Sequence, residues 1–154
     1  MAGVYSQLLI QIVFAVKYRQ ALIAPWWEEK LHKYITGIVQ QRGHKMLAIN
    51  GMPDHIHIFI GMKPVESISE MVREIKKAST KYINEQKLCS KKFQWQGGYG
   101  VFSYHLSQCE NVCRYIRNQK QHHGMVSFRQ EVNNLLEEYG LDETKTLPFE
   151  YFEK

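Results

Sequence analysis

The 154-residue chain predicts an α+β fold, a ferredoxin-like plait whose antiparallel sheet carries two helices on one face and a C-terminal helix bearing Tyr115 on the other. Three observations predict it. Apolar periodicity runs in the order strand, helix, strand, strand, helix, strand, with further helices behind. The composition, 44% hydrophobic, 12% aromatic and 23% charged, suits a chain that buries a core and excludes a disordered or low-complexity one. No repeat or long linker interrupts the pattern, so residues 1–154 read as one domain in which residues 125–154 form an acidic C-terminal helix and tail.

Residues 4–17 alternate as a half-buried strand does, with Leu8, Ile10, Ile12, Phe14 and Val16 on one side and Gln7 and Gln11 on the other. Pro25 opens a helix with Leu31, Tyr34, Ile35, Ile38 and Val39 on one stripe, closed by Gly43 at a left-handed cap position. Two apolar runs over residues 44–62 flank Gly51-Met52-Pro53-Asp54 and read as a strand pair with a short turn. Ser67 and Glu70 form a capping-box pattern for a helix over about 68–86 that places Met71, Val72, Ile75, Ser79 and Ile83 on one stripe. Gly97-Gly98, between aromatic-rich runs over 93–104, suggests two further short strands. Ser107 with Glu110 starts a helix expected to reach His123 and stop at Gly124; Ser127 with Gln130 starts a last one ending near Gly140.

Charge is unevenly distributed along the chain. The net charge is +5, yet residues 125–154 hold three basic and seven acidic side chains, a net of −4, which leaves +9 on the first 124. Residues 73–92 contribute seven basic groups against Glu74 and Glu85. Such a body suits a polyanion partner, although a solvated lysine-rich helix face explains the charge equally well. Arg73, Lys76, Lys77 and Lys81, mostly off the apolar stripe, are the candidates for contacts to a nucleic-acid backbone. The three cysteines, Cys89, Cys109 and Cys113, fit a reduced cytoplasmic protein better than a disulfide framework. The first residues lack the basic leader and cleavage site of a signal peptide, and no apolar stretch approaches the ~20 residues of a membrane span.

Two clusters could carry chemistry. His55 and His57 are alternate residues of one strand, roughly 7 Å apart on a common face, where their imidazoles can grip a divalent metal while Asp54 orients a ring. A simple hydrogen-bonded histidine pair is the competing reading. Because Ile56, Ile58 and Ile60 suit the face beneath the first two helices, the histidines must meet whatever the C-terminal helices cover. In the tyrosine helix, Tyr115 and Gln119 are i and i+4 and share a face. An amide oxygen from Gln119 added to two imidazoles makes a mixed N and O set suited to Mg²⁺ or Mn²⁺. Tyr115 is then a candidate nucleophile for phosphoryl transfer, with a metal stabilising charge on the phosphate oxygens. A tyrosine and glutamine that only pack or face solvent would show the same spacing.

His55-Ile56-His57 resembles the paired-histidine signature of the HUH nucleases, and Tyr115-Ile116-Arg117-Asn118-Gln119 resembles the tyrosine motif of their smallest members. These are the single-tyrosine, TnpA-type transposases of small insertion sequences, relatives of the REP-associated tyrosine transposases. The likeness extends to Val16-Lys17-Tyr18-Arg19, to Asn50 through His55 and to Trp95-Gln96-Gly97-Gly98-Tyr99-Gly100, and so spans most of residues 5–123. It implies His55, His57 and Gln119 as metal ligands and Tyr115 as the nucleophile. It further implies a homodimer that cleaves and rejoins single-stranded DNA beside imperfect hairpins, through a 5′-phosphotyrosine link and a free 3′-hydroxyl, the tyrosine acting in cis or in trans.

Other residues compete less well. Tyr99 and Tyr104 lack a glutamine one helical turn on, Cys109 and Cys113 with His105 lack a fourth zinc ligand, and His122 and His123 suit a helix C-terminus. Among Trp26, Trp27, Phe93, Trp95 and Tyr99, at most one or two are expected to touch DNA, by stacking on unpaired bases, since most large aromatics are core residues. The function from a different class is a non-catalytic or domesticated hairpin-binding plait, which would bind nucleic acid without metal or cleavage.

Overall fold

The computed structural model describes residues 3–122 and 127–141. Four strands, β1 (Leu8–Ala15), β2 (Lys45–Met52), β3 (His55–Met62) and β4 (Gly100–Tyr104), form one antiparallel sheet in the order β2-β3-β1-β4. Helix α1 (Pro25–Gln41) connects β1 to β2 and α2 (Ile68–Glu85) connects β3 to β4, which completes the plait. Helices α3 (Cys109–Arg117), α4 (Gln119–His122) and α5 (Phe128–Glu138) follow. Among the described residues no helix is long and apolar enough to cross a membrane.

Alternation along the central strands determines which layer covers which face. Ile10, Ile12 and Phe14 of β1 and Ile56, Ile58 and Ile60 of β3 pack with Trp27, Leu31 and Ile35 of α1 and Met71, Val72 and Ile75 of α2. Behind the sheet, Leu9, Ala48 and Phe59 meet Val112, Cys113 and Ile116 of α3, while Val13 and Ala15 meet Phe128 and Val132 of α5. Strand β1 is therefore buried on both faces, where its alternation predicts a strand polar on one side; Val13 and Ala15 supply the second apolar face and Gln11 is itself buried. Cys109 and Cys113 contribute to this rear core, and Cys89, Cys109 and Cys113 are free thiols.

Helix boundaries follow local chemistry. Ser67 Oγ accepts from the Glu70 N–H (3.1 Å) and Ser127 Oγ from the Gln130 N–H (3.2 Å), as their capping patterns predict. Gly43 takes φ +93° beyond α1. The Ser107–Glu110 pattern does not cap α3. Instead a 3₁₀ turn, Leu106–Gln108, precedes it, with His105 and Gln108 forming the reciprocal cap. The tyrosine helix, expected to be continuous, breaks at Asn118 (φ −96°, ψ 19°) into α3 and α4. Of the two strands expected over 93–104 only β4 forms; Trp95 makes a lone bridge to Val16 because its ring turns inward, its indole N–H donating to Ser79 Oγ (2.9 Å).

Candidate active site

Register along β1 and β3 assembles the first half of the site. Val13 lies opposite His57 and Ala15 opposite His55, so both imidazoles rise from the rear face, one beside the other, with ring centroids 5.2 Å apart. Both are essentially fully buried. Each is oriented through Nδ1: His55 by Asp54 Oδ1 (2.7 Å) and His57 by Gln11 Oε1 (2.7 Å), so each Nε2 is left facing the space under the C-terminal helices. Arg19 donates twice to Asp54 Oδ2, at 3.1 and 2.8 Å. It reaches there because Tyr18 and Arg19 both take left-handed backbone (φ 59° and 53°), an arrangement that non-glycine residues adopt only under constraint. Burial raises the Asp54 pKa, but the hydrogen bonds from His55 and Arg19 overcome it and hold the carboxyl at about 2. Burial also opposes a charge on His55, and its bonds to Asp54 and Glu131 win and raise its pKa.

The second half comes from the helices. Tyr115 leaves α3 with its ring 6.0 Å from that of His57, and Gln119, fully buried, opens α4. The break between them is pinned to β2: Lys120 Nζ donates to the Gly51 carbonyl (2.6 Å), Asn50 Oδ1 (3.1 Å) and Glu28 Oε2 (2.9 Å), and Asn50 Nδ2 donates to the Arg117 carbonyl (2.9 Å). From α5, Glu131 enters the centre, 2% exposed. Its Oε1 lies 2.8 Å from His57 Nε2 and 3.6 Å from His55 Nε2, while its Oε2 accepts from the Tyr115 hydroxyl and from Gln119 Nε2 (3.0 Å). Phe128, one turn earlier, stacks on His55 at 4.0 Å, and the Arg19 guanidinium lies 5.2 Å from the same phenyl ring. Burial and the adjacent Glu131 carboxylate push the Tyr115 pKa well above that of a free phenol, so the resting hydroxyl is protonated.

The donor set fits a divalent cation. One ligand atom each from His55, His57 and Glu131 lies within 4.8 Å of the others. Gln119 Oε1 is buried beside them without a hydrogen-bond partner among the described residues, an oxygen that a hard cation would satisfy. Two imidazoles with a carboxylate and an amide oxygen make a mixed N/O donor set compatible with a divalent cation.

Four residues singled out from sequence, His55, His57, Tyr115 and Gln119, thus converge. Glu131, Gln11 and Arg19 join them unannounced. Arg73, Lys76, Lys77 and Lys81 lie on α2, across the sheet from the histidines. Arg73 pairs with Glu70 (3.6 Å) and Glu74 (3.9 Å) and Lys81 with Glu85 (3.9 Å), all at the surface. Lys76 instead donates to the carbonyls of Gln96 (2.8 Å) and Gly98 (2.6 Å), and burial lowers its pKa to about 8. Trp27, Phe93 and Trp95 are core residues, whereas Trp26 is 67% exposed. The His122 side chain, His123, Gly124 and the tail beyond residue 141 lie outside the described residues.

Comparisons with known proteins give a family and two similar folds. A relative, the ISDra2 transposase TnpA of Deinococcus radiodurans, is 24% identical over 122 residues, 76% of this chain and 87% of the relative. In fold, the chain is similar to a crystal structure from D. radiodurans R1 described as a candidate transposase (TM-score 0.63, 23% identity, covering 77% of this chain and 95% of that one). It is also similar to a REP-associated tyrosine transposase bound to a REP hairpin (TM-score 0.60, 19% identity, 82% and 74% covered). The family model described as "Transposase IS200 like" matches residues 4–119, well over half of the sequence, and the chain therefore belongs to the IS200-like transposase family.

Proposed function

We propose that this member of the family cleaves and rejoins single-stranded DNA, with Tyr115 as nucleophile and His55, His57 and Gln119, joined by Glu131, holding Mg²⁺ or Mn²⁺. The observation that carries the proposal is the convergence of the Tyr115 hydroxyl, His57 and Gln119 on the one Glu131 carboxylate. A bound divalent cation would supply stabilisation of charge developing on the scissile phosphate. The Tyr115 oxygen attacks phosphorus, the bond to the 3′-oxygen breaks, and a 5′-phosphotyrosine and a free 3′-hydroxyl result. Glu131, already accepting the phenolic hydrogen bond, is the nearest acceptor for the proton. Attack by another 3′-hydroxyl reverses these steps and rejoins strands. Asp54 and Gln11 hold the imidazole rings, and Lys120 holds the turn that carries Gln119.

The substrate on this reading is single-stranded DNA flanked by a hairpin, acted on by a homodimer in the cytoplasm; the fold shared with the hairpin-bound transposase supports the hairpin. Arg73, Lys77 and Lys81, across the sheet from the chemistry, would meet hairpin phosphates. Incubation of the protein with Mn²⁺ and end-derived single-stranded DNA is expected to give a covalent adduct resistant to denaturation. Tyr115→Phe should abolish it, and an adduct that persists in that variant would remove Tyr115 from its role. Hairpin binding with no adduct under any metal would favour the non-catalytic reading.

A further inference from the structure

A cleft of about 300 Å³ opens between β4, α3 and α5, with Tyr115 and Glu131 in its lining. That volume lies at the lower end of small-molecule sites. Its floor is apolar, formed by Val112 and Leu135, both 8% exposed, and the rings of Tyr104 and Tyr115 line its walls. A flat aromatic ligand matches this shape. The rim is polar in a specific way. Gln108 Oε1 accepts from the His105 N–H (2.9 Å), Asn111 Oδ1 from Arg114 (3.5 Å) and Asn134 Oδ1 from Gln130 (2.8 Å). With each amide oxygen engaged, the three amino groups, all on exposed side chains that line the cleft, are open to a ligand from solvent. Glu138 adds a carboxylate with no donor partner there.

The Glu138 carboxylate repels a phosphate from the rim, while the scissile phosphate belongs at the Tyr115 hydroxyl, so what fills the rest of the cleft is a base and not the backbone. We infer that the cleft is a specificity pocket for one unpaired guanine next to the scissile phosphate. Guanine alone among the four bases presents two adjacent acceptors, O6 and N7, for the amides together with two adjacent N–H groups, N1 and N2, for a bidentate carboxylate. The inference deepens the proposed DNA cleavage by naming what positions the strand at Tyr115.

Binding without chemistry tests it. Fluorescein-labelled nonamers of thymidine with one central guanine, adenine, cytosine, thymine or inosine are titrated into the full chain in EDTA, and anisotropy gives the five affinities. Guanine is expected to bind about tenfold more tightly than thymine, with inosine, which lacks the N2 amino group, in between. The guanine-to-thymine ratio should fall toward one in Glu138→Gln and in the Asn111→Ala/Asn134→Ala double variant, all surface changes that leave the core intact. Equal affinity for all bases, preference for another base, or a guanine preference that survives both variants overturns the inference. Failure of the transposase reading would be seen elsewhere, as wild-type protein that forms no tyrosine adduct with Mn²⁺, while the base ratios stood.

Discussion

Each histidine is held at Nδ1 by a partner of different charge, Asp54 at His55 and Gln11 at His57, which makes His55 the more strongly polarised donor. Asp54→Ala should therefore lower Mn²⁺ affinity by roughly 10–100-fold in calorimetric titration, and Arg19→Ala by less, since Arg19 acts through Asp54. Unchanged affinity in Asp54→Ala would mean that His55 does not depend on its hydrogen bond. The histidines were legible because strand period puts them on one face, whereas Tyr115 and Gln119, between which the helix breaks, were singled out by the resemblance to the single-tyrosine transposases more than by helix spacing. Glu131 was not. It follows Gln119 by twelve positions on a separate helix, inside a stretch whose evident property is acidity, and only the closure of α5 over the rear face makes it a site residue. Arg19 was hidden for another reason: its approach to Asp54 needs left-handed backbone at two residues, and no glycine marks the place.

At the level of elements, the strand pair carrying the histidines depends on Gly51. A Cβ at that position would lie 2.2 Å from the His55 carbonyl oxygen and 2.9 Å from Ile56 Cα, both backbone atoms that cannot step aside. Gly51→Ala is expected to destabilise by about 1–3 kcal/mol or more in urea unfolding, and to weaken metal binding in the fraction that folds, because the displaced carbonyl belongs to a proposed ligand residue, His55. Wild-type stability would show that β2 can shift. The order of the plait, the apolar faces of α1 and α2 and two of three serine caps follow from pattern alone. Three features did not. The Ser107 pattern lost to a cap built from His105 and Gln108, the tyrosine helix broke where Lys120 and Asn50 take hold of its backbone, and the aromatic run before Gly97 folded inward around Ser79 and Asn84. In the first case another local cap won, and in the other two contacts from other elements outweighed a local signal that was genuine but small.

For the whole molecule, the charge division acquires a geometry: the basic surface of α2 and the candidate active site lie on opposite sides of the sheet. A DNA that engages both must wrap the edge of the molecule. Substituting Arg73, Lys77 and Lys81 together should reduce the slope of log affinity against log salt for hairpin DNA by roughly two to three, and an unaltered slope would move the hairpin elsewhere. Lys76, the fourth candidate for DNA contact, donates instead to two carbonyls of its own chain, and its burial bears on stability. Its pKa falls from 10.5 to about 8 through burial, so between those values the unfolded chain holds more protons than the folded one and stability gains with rising pH through this group. Below pH 8 the burial penalty on the charged amine is present in full. Comparison of melting curves for wild type and Lys76→Met should show the difference between them changing across pH 8–10.5; a constant difference would contradict the shift. The position of Glu131 has one more consequence, for the order of events as the chain is made. The sheet is complete once Tyr104 has been added, whereas Glu131 follows 27 positions later, about one to five seconds at ordinary translation rates. During that interval the nascent protein owns its histidines but not the carboxylate that joins them to the tyrosine, so the proposed strand-cutting centre would be assembled last, after the scaffold able to confine it.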